Sequence, residues 1–370
     1  MDGVSVCVQN YAYWLQKHVG KVCVVTPMNY GHKYNEDYTV LEYMSIPVPF
    51  RYPYMTGVAE IDPVFMAKLL KRRFKIVHAH SPFASGMAAQ RVAKFQNIPM
   101  VATFHSKYRQ DFEKVIPSKL AVDAIIKKIV SFYESADEVW VPQASVREVL
   151  KEYGYKGSAE VVQNGSDLCG DYTEAYFEEA RRTLGIAPGQ LALLFVGQHV
   201  WQKNTKLIIE ALSRIKDLDF RMFFIGSGYA EEEMKQMVTQ AGLDSKVSFE
   251  GIITDRDRIK VYYAAADLFL FPSLYDTDGL VVHEAAALHT PSIMAREATA
   301  ASMIKEGDNG FLTSNDPDSF ADLLRRLAVS REEIKKAGIS ASQTLVRSWE
   351  DIAAEVLDRY NSLIVRQKMI

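Results

Sequence analysis

Short runs of apolar residues alternate along most of the chain with stretches in which apolar positions recur every three or four residues. The first pattern predicts buried strands and the second amphipathic helices, so repeated strand–helix units with parallel sheets are expected. In the first half, strands are predicted at 21–26, 76–79, 100–104, 138–141 and 160–162, and helices at 11–18, 64–72, 86–95, 120–132 and 145–153. The pattern restarts at 191–197 and continues through strands at 221–226, 247–250 and 268–271, each followed by a helix. The expected fold is therefore α/β, with two Rossmann-like, doubly wound domains. Asn164-Gly165-Ser166-Asp167 and Pro188-Gly189 are turn signals that place the boundary between Asn164 and Gln190. Ligands of open parallel sheets bind at the carboxyl ends of the strands, so the site is expected in a cleft between the domains. The chain opens with Met1-Asp2-Gly3-Val4 running into a helix, and the first strand of the N-terminal domain is expected to be missing.

Composition narrows the class. With 370 residues, 48% hydrophobic and 24% charged, the chain can bury a core in each domain and is not disordered. Three cysteines, Cys7, Cys23 and Cys169, are odd in number and never in a C-x-x-C pair, which argues against both a disulfide framework and a zinc site and points to a reducing, cytoplasmic setting. No apolar run reaches the roughly 18 residues that span a bilayer. The net charge of -3 conceals an asymmetry: residues 1–165 carry 20 Lys and Arg against 15 Asp and Glu, and residues 166–370 carry 23 against 31. No nucleic-acid partner is expected.

The densest chemistry lies in Phe271-Pro272-Ser273-Leu274-Tyr275-Asp276-Thr277-Asp278-Gly279-Leu280-Val281-Val282-His283-Glu284. A buried strand ends at Pro272, a polar loop presents Asp276 and Asp278, and Gly279 opens an Ala-rich helix bearing Glu284. Amides of the first helical turn favour an anionic or hydroxyl-rich ligand, and the two carboxylates, Asp276 and Glu284, suit sugar and ribose hydroxyls. Gly226-Ser227-Gly228 lacks the third glycine of a dinucleotide fingerprint and predicts a tight strand–helix turn beside a nucleotide. His78, His80 and His105 have no carboxylate or cysteine at metal-ligand spacing, so no metal and no cofactor is expected.

Acid, seven residues, acid, with Gly-Leu-Val between them, resembles the signature of family 4 retaining glycosyltransferases of the GT-B fold. Val77-His78-Ala79-His80-Ser81-Pro82-Phe83, Val101-Ala102-Thr103-Phe104-His105, Asn164-Gly165-Ser166-Asp167, Phe195-Val196-Gly197 with Lys203, Ile225-Gly226-Ser227-Gly228 and Asn309-Gly310-Phe311-Leu312 match further motifs of that family in order. The resemblance implies a nucleotide diphosphate sugar as donor. Glu284 would hold its ribose, Asp276 with the Gly279 and Leu280 amides its hexose, and Lys203 its diphosphate. His105 would lie near the reacting sugar and Gly3 against the donor phosphate. It also implies an acceptor-side domain at 1–167, a donor-binding domain at 168–345, and a final segment, 346–370, whose helix crosses back to the first domain.

Three departures stand out. The arginine that usually accompanies the lysine is Gln198 here, leaving His199, Trp201 or Lys203 to compensate. The first acid is an aspartate. Asp278 replaces the usual phenylalanine and is expected to add a second carboxylate near the hexose. The basic run around Lys71, Arg72 and Arg73, and the stretch from Lys114 to Lys128 with Val115, Ile116, Leu120, Ile125, Ile126, Lys127 and Lys128, can be a solvated helix face or a dock for an anionic membrane. Tyr108-Arg109-Gln110-Asp111 resembles the acceptor loop of bacterial diacylglycerol glucosyltransferases. The implied function is retaining, metal-independent transfer of a hexose from UDP-glucose to a lipid such as diacylglycerol, with the protein peripheral on the inner face of the plasma membrane. A cell-envelope or capsular glycan as acceptor, or a non-catalytic nucleotide-sugar binder, are the alternatives.

Overall fold

A computed structural model describes residues 3–29, 35–47 and 55–369. Met1 and Asp2, the start of the predicted opening, lie outside the described residues. The chain forms two compact units: Met1–Asn164 together with Trp349–Ile370, and Gly165–Ser348.

In the first unit, helix α1 (Gly3–Val19) is followed by β1 (Cys23–Pro27), β2 (Thr39–Tyr43), β3 (Ser45–Pro47) and β4 (Met55–Gly57). Strands β1 and β2 pair in parallel and β3 and β4 antiparallel. Then come α2 (Pro63–Leu70), β5 (Val77–Ala79), α3 (Ala84–Gln96), β6 (Met100–Thr103), α4 (Tyr108–Val115), α5 (Lys119–Glu134), β7 (Glu138–Val141), α6 (Ala144–Glu152) and β8 (Ala159–Val161). Strands β5 to β8 form a parallel sheet in sequence order. Asp62 accepts from the Phe65 amide at 2.9 Å and so starts α2 just ahead of Pro63. The stretch expected to be an acceptor loop is instead helix α4: Tyr108 points into the core, 8% exposed, between Phe83 and Phe104.

The second unit contains α7 (Glu174–Thr183), β9 (Leu191–Val196), α8 (Thr205–Arg214), β10 (Phe220–Ile225), α9 (Glu231–Gln240), β11 (Val247–Phe249), α10 (Arg256–Ala265), β12 (Leu268–Leu270), α11 (Leu280–Ala287), β13 (Ser292–Ala295), β14 (Gly310–Thr313), α12 (Pro317–Ala328) and α13 (Arg331–Thr344). Its parallel sheet runs β11-β10-β9-β12-β13-β14, the doubly wound order. Strand β9 sits inside the sheet, and Leu191 to Phe195 are each at most 1% exposed. Helices on both faces explain why this strand is continuously apolar and does not alternate. Each of its buried leucines and Phe195 contributes about 1.5–3 kcal/mol through burial. The expected α/β class with parallel sheets in two Rossmann-like units stands.

The last helix, α14 (Trp349–Lys368), belongs to the first unit. Its Tyr360 stacks on Trp140 of β7, ring centroids 5.6 Å apart and 10° from parallel. Trp349 meets Tyr11 of α1 edge-on at 5.9 Å. Truncating Tyr360 would leave a cavity against Trp140, so Tyr360→Ala should lower the urea unfolding free energy of the first unit by about 3–5 kcal/mol. A loss below about 1 kcal/mol would show that the stack carries little of the docking.

Candidate functional site

The sheet order of the second unit determines where its chemistry collects. The order in which strands are added across the sheet reverses between the parallel neighbours β9 and β12, and their carboxyl ends open a crevice at such a switch point. Loop 197–204 leaves β9 and loop 271–279 leaves β12. Across this point Lys203 Nζ donates to Asp276 Oδ1 at 2.5 Å, and the ammonium lies 5.7 Å from the Phe271 ring centroid. Asn204, in the left-handed conformation at φ 60°, ties the same loops by donating to the Pro272 carbonyl at 3.1 Å. The second carboxylate oxygen, Asp276 Oδ2, is buried with no hydrogen-bond partner among the described residues. An orphaned anionic acceptor at a crevice is costly unless a ligand donates to it.

Behind Asp276, Gly279 takes φ 80° and starts α11 without a side-chain cap. The first amides of that helix have no intrahelical acceptor, and its dipole adds positive potential. A Cβ at Gly279 would stand 3.0 Å from Phe271 Cε1, in a backbone region that L side chains avoid. At the end of β10, Gly226 lies at φ 134°, and a Cβ there would stand 1.9 Å from the Gly197 carbonyl oxygen. Only glycine lets these two strand ends approach so closely. Leu280 opens the helix, half-buried.

Glu284, one turn further on, is held on both oxygens. Arg256 Nη2 donates to Oε1 at 2.7 Å and the Tyr263 hydroxyl to Oε2 at 2.8 Å. Arg256 also binds both oxygens of Asp167. Partial burial disfavours the guanidinium charge, but Glu284 and Asp167 more than offset it and push the Arg256 pKa further up. Burial, and then the neighbouring Glu284, push the Tyr263 hydroxyl well up. Sequence reasoning missed Arg256 and Tyr263, because no local pattern links positions 21 and 28 residues from Glu284.

Two expectations about this unit need correction. Asp278 is 5% exposed and faces His283 Nε2 at 3.3 Å, so it is a buried partner of α11 and not a second carboxylate open to a hexose. Burial alone would lower the His283 pKa, but the Asp278 charge and the Leu345 carbonyl at 2.7 Å raise it. His199 cannot replace the missing arginine as a cation: it is fully buried, burial pulls its pKa down, and Nδ1 is engaged by Glu231 at 3.0 Å. Gln198 itself is exposed.

In the first unit, His78 of β5, His80 just after it and His105 just after β6 gather at the carboxyl ends of adjacent strands. His78 bonds the Tyr360 hydroxyl at 2.5 Å through Nδ1 and Thr103 Oγ1 at 2.7 Å through Nε2. His80 Nδ1 lies 3.0 Å from His105 Nε2. Burial, reinforced by the neighbouring imidazoles, lowers His78 to about 3 and His80 well below its usual value. Cys7 Sγ of α1 joins His80 and His105, with the three ligand atoms within 4.8 Å of one another. The sequence offered no cysteine at suitable spacing; the fold supplies one. Gly3 is the exposed first residue of α1.

The surface candidates divide. Lys71, Arg72, Arg73, Lys127 and Lys128 are exposed. Of the interleaved apolar residues, Val115 and Leu120 are exposed at 61% and 83%, whereas Ile126 is core and Ile116 and Ile125 are half-buried. Arg109 is engaged by Asp123 at 2.7 Å and by Glu113 at 3.5 Å. Among the described residues no helix is long and apolar enough to cross a membrane.

Residues 1–168 match the profile "Glycosyltransferase Family 4" and residues 177–344 match "Glycosyl transferases group 1". The chain belongs to family 4 of the glycosyltransferases. It is 24% identical over 340 residues to an alpha-monoglucosyldiacylglycerol synthase of Streptococcus pneumoniae, covering 88% of this chain and 75% of that protein. Sucrose-phosphate synthase of Thermosynechococcus elongatus superposes with a TM-score of 0.83 at 20% identity, over 99% of this chain and 94% of the other. HepE of Anabaena, solved with UDP and glucose, gives 0.77 at 16% identity over 98% and 96%. These likenesses make the fold of this glycosyltransferase GT-B.

His78 and His80 in the first unit respond to acid oppositely to His283 in the second. His78 and His80 are depressed below the unfolded value near 6.5, so the unfolded chain binds more protons and stability falls as pH drops below about 6.5. The loss is about 1.4 kcal/mol per pH unit for each histidine kept neutral. His283 is raised, so its contribution is present below about 6.5 and fades as pH rises through its folded value. Urea midpoints taken between about pH 7 and pH 5 should fall less for His78→Gln than for the unsubstituted protein; equal slopes would contradict the assignment.

Proposed function

We propose that this glycosyltransferase moves glucose from UDP-glucose, with retention, to a lipid acceptor such as diacylglycerol at the inner surface of the cytoplasmic membrane. The observation that carries the donor reading is the Lys203–Asp276 pair across the sheet's switch point, with a buried Asp276 Oδ2 that has no partner among the described residues and the open start of α11 beside it. A hydroxyl-rich group can donate to Oδ2 while its diphosphate draws the Lys203 ammonium. UDP and glucose are the molecules seen with HepE, a protein of the same fold.

In the proposed reaction the bond from the anomeric carbon to the β-phosphate oxygen breaks and the acceptor oxygen attacks from the same face. The departing phosphate oxygen takes the acceptor proton. Negative charge grows on the diphosphate, where Lys203 and the first amides of α11 stabilise it without a metal, and Gly3 at the start of α1 is assigned to the same phosphates. Glu284, oriented by Arg256 and Tyr263, is assigned to the ribose. His105, whose Nε2 already hydrogen-bonds His80, is assigned to the transferred sugar. Gln198 carries no charge, so Lys203 bears more of the electrostatic work than a lysine backed by arginine.

The lipid acceptor rests on the similarity to the diacylglycerol synthase, the basic first half of the chain and the exposed Val115 and Leu120 among lysines. Burial of Ile126 reduces the apolar face available and favours the second reading, a cell-envelope glycan acceptor. Lys203→Ala should lower kcat on UDP-glucose by about a hundredfold or more, as loss of an oxyanion donor does, and Glu284→Ala should chiefly weaken UDP binding in calorimetry. Wild-type turnover in both variants would overturn the donor site. Flotation with vesicles rich in anionic lipid should carry the protein upward, and less so for Lys127→Glu/Lys128→Glu; no flotation would turn the reading to the glycan acceptor.

A further inference from the structure

We propose that Cys7, His80 and His105 form a binding site for one thiophilic divalent cation of the zinc class. The three residues come from separate elements: Cys7 from the second turn of α1, His80 from the end of β5 and His105 from the end of β6. Their ligand atoms lie within 4.8 Å of one another, and the two imidazole nitrogens are 3.0 Å apart. A tetrahedral zinc with bonds of about 2.0–2.1 Å to nitrogen and about 2.3 Å to sulfur sets its ligand atoms about 3.3–3.8 Å apart. The imidazole pair needs to open by only a few tenths of an ångström, and the Cys7 sulfur, within 4.8 Å of both nitrogens, has to close by up to about an ångström.

The donor set is one sulfur and two imidazoles, which selects zinc, cobalt or cadmium over magnesium or calcium. Three protein ligands leave a fourth position for solvent or an incoming group. The surroundings are firm: His78, whose ring lies 4.0 Å from that of His80, is pinned by Tyr360 and Thr103, and Tyr11 packs edge-on against His80 at 5.3 Å. On binding, the Cys7 thiol releases its proton to solvent. The proton shared between His80 Nδ1 and His105 Nε2 moves to the other nitrogen of whichever ring held it, and both facing nitrogens then ligate.

Resting on the assignment of His105 to the transferred sugar, an occupied site removes that imidazole from the reaction and the cation acts as an inhibitor. The reduced, metal-stripped full-length chain is titrated with Co²⁺. The expected result is one equivalent bound with tetrahedral visible bands and a thiolate-to-cobalt charge-transfer band. Cys7→Ser should lose that band, with Cys23 and Cys169 still present, and His80→Gln should weaken binding by at least about tenfold while retaining the wild-type circular dichroism. Absence of the thiolate band, or its survival in Cys7→Ser, overturns the site. In the activity arm, Zn²⁺ should suppress transfer reversibly by chelator in the unsubstituted protein and far less in Cys7→Ser. Cobalt binding with undiminished transfer overturns the inhibitory role. UDP calorimetry on the metal-free protein reads the donor site separately, so its failure is told apart from failure of the metal site.

Discussion

The central position of β9 in the second unit is the constraint from which the donor-side chemistry follows. The chain leaves β9 in one direction across the sheet and returns on its other side through β12, so two loops that are far apart in sequence emerge side by side. Lys203 and Asp276, 73 residues apart, meet there because their strands are neighbours and not because of any local preference. The apolar burial of Leu191 to Phe195 holds that neighbour relation, and the glycines at 226 and 279 let backbone come close enough to line the crevice. Polar groups gathered at such a place are paired with one another until a ligand substitutes for a partner.

The two units handle charge in different ways. Around α11 the second unit pairs acids with basic groups: Asp276 with Lys203, Glu284 and Asp167 with Arg256, and Asp278 with the His283 imidazole. When such a pair opens to a ligand, its cation can take a phosphate and its carboxylate a sugar hydroxyl. At the ends of β5 and β6 the first unit instead packs three imidazoles with Tyr11, Trp140 and Tyr360, and burial keeps His78 and His80 neutral. A neutral imidazole cluster suits hydrogen bonding to an uncharged sugar or coordination of a soft cation. An ion-pair lattice suits a diphosphate.

Several elements could be read before any coordinates. Strands β5 to β7 and β9 to β12 are short, mostly apolar runs bounded by turn residues, and these were expected within a residue or two of their observed ends. Strands β2, β13 and β14 were not: Thr39–Tyr43 is only partly buried and mixes polar with apolar positions, while Ser292–Ala295 and Gly310–Thr313 are four residues long with small or polar ends. Helix α4 was read as a loop on the resemblance of residues 108–111 to an acceptor loop, and its apolar positions, Tyr108, Phe112 and Val115, are few amid charged residues. Asp278 looked like a site carboxylate because its neighbours in sequence are; the side chain turns inward to a histidine five residues later.

The sequence by itself determined the α/β class, the parallel sheets and the residue types available for phosphate and sugar, since these depend on hydrophobic period and on motifs of a few adjacent positions. Tertiary structure alone decided the partners: that Arg256 and Tyr263 hold Glu284, that His199 is buried against Glu231, and that Cys7 meets two histidines more than 70 positions away. The physical reason is range. Backbone preference and burial pattern act over a few residues, whereas an ion pair or a ligand set depends on which strand ends the completed sheet brings within a few ångströms of one another.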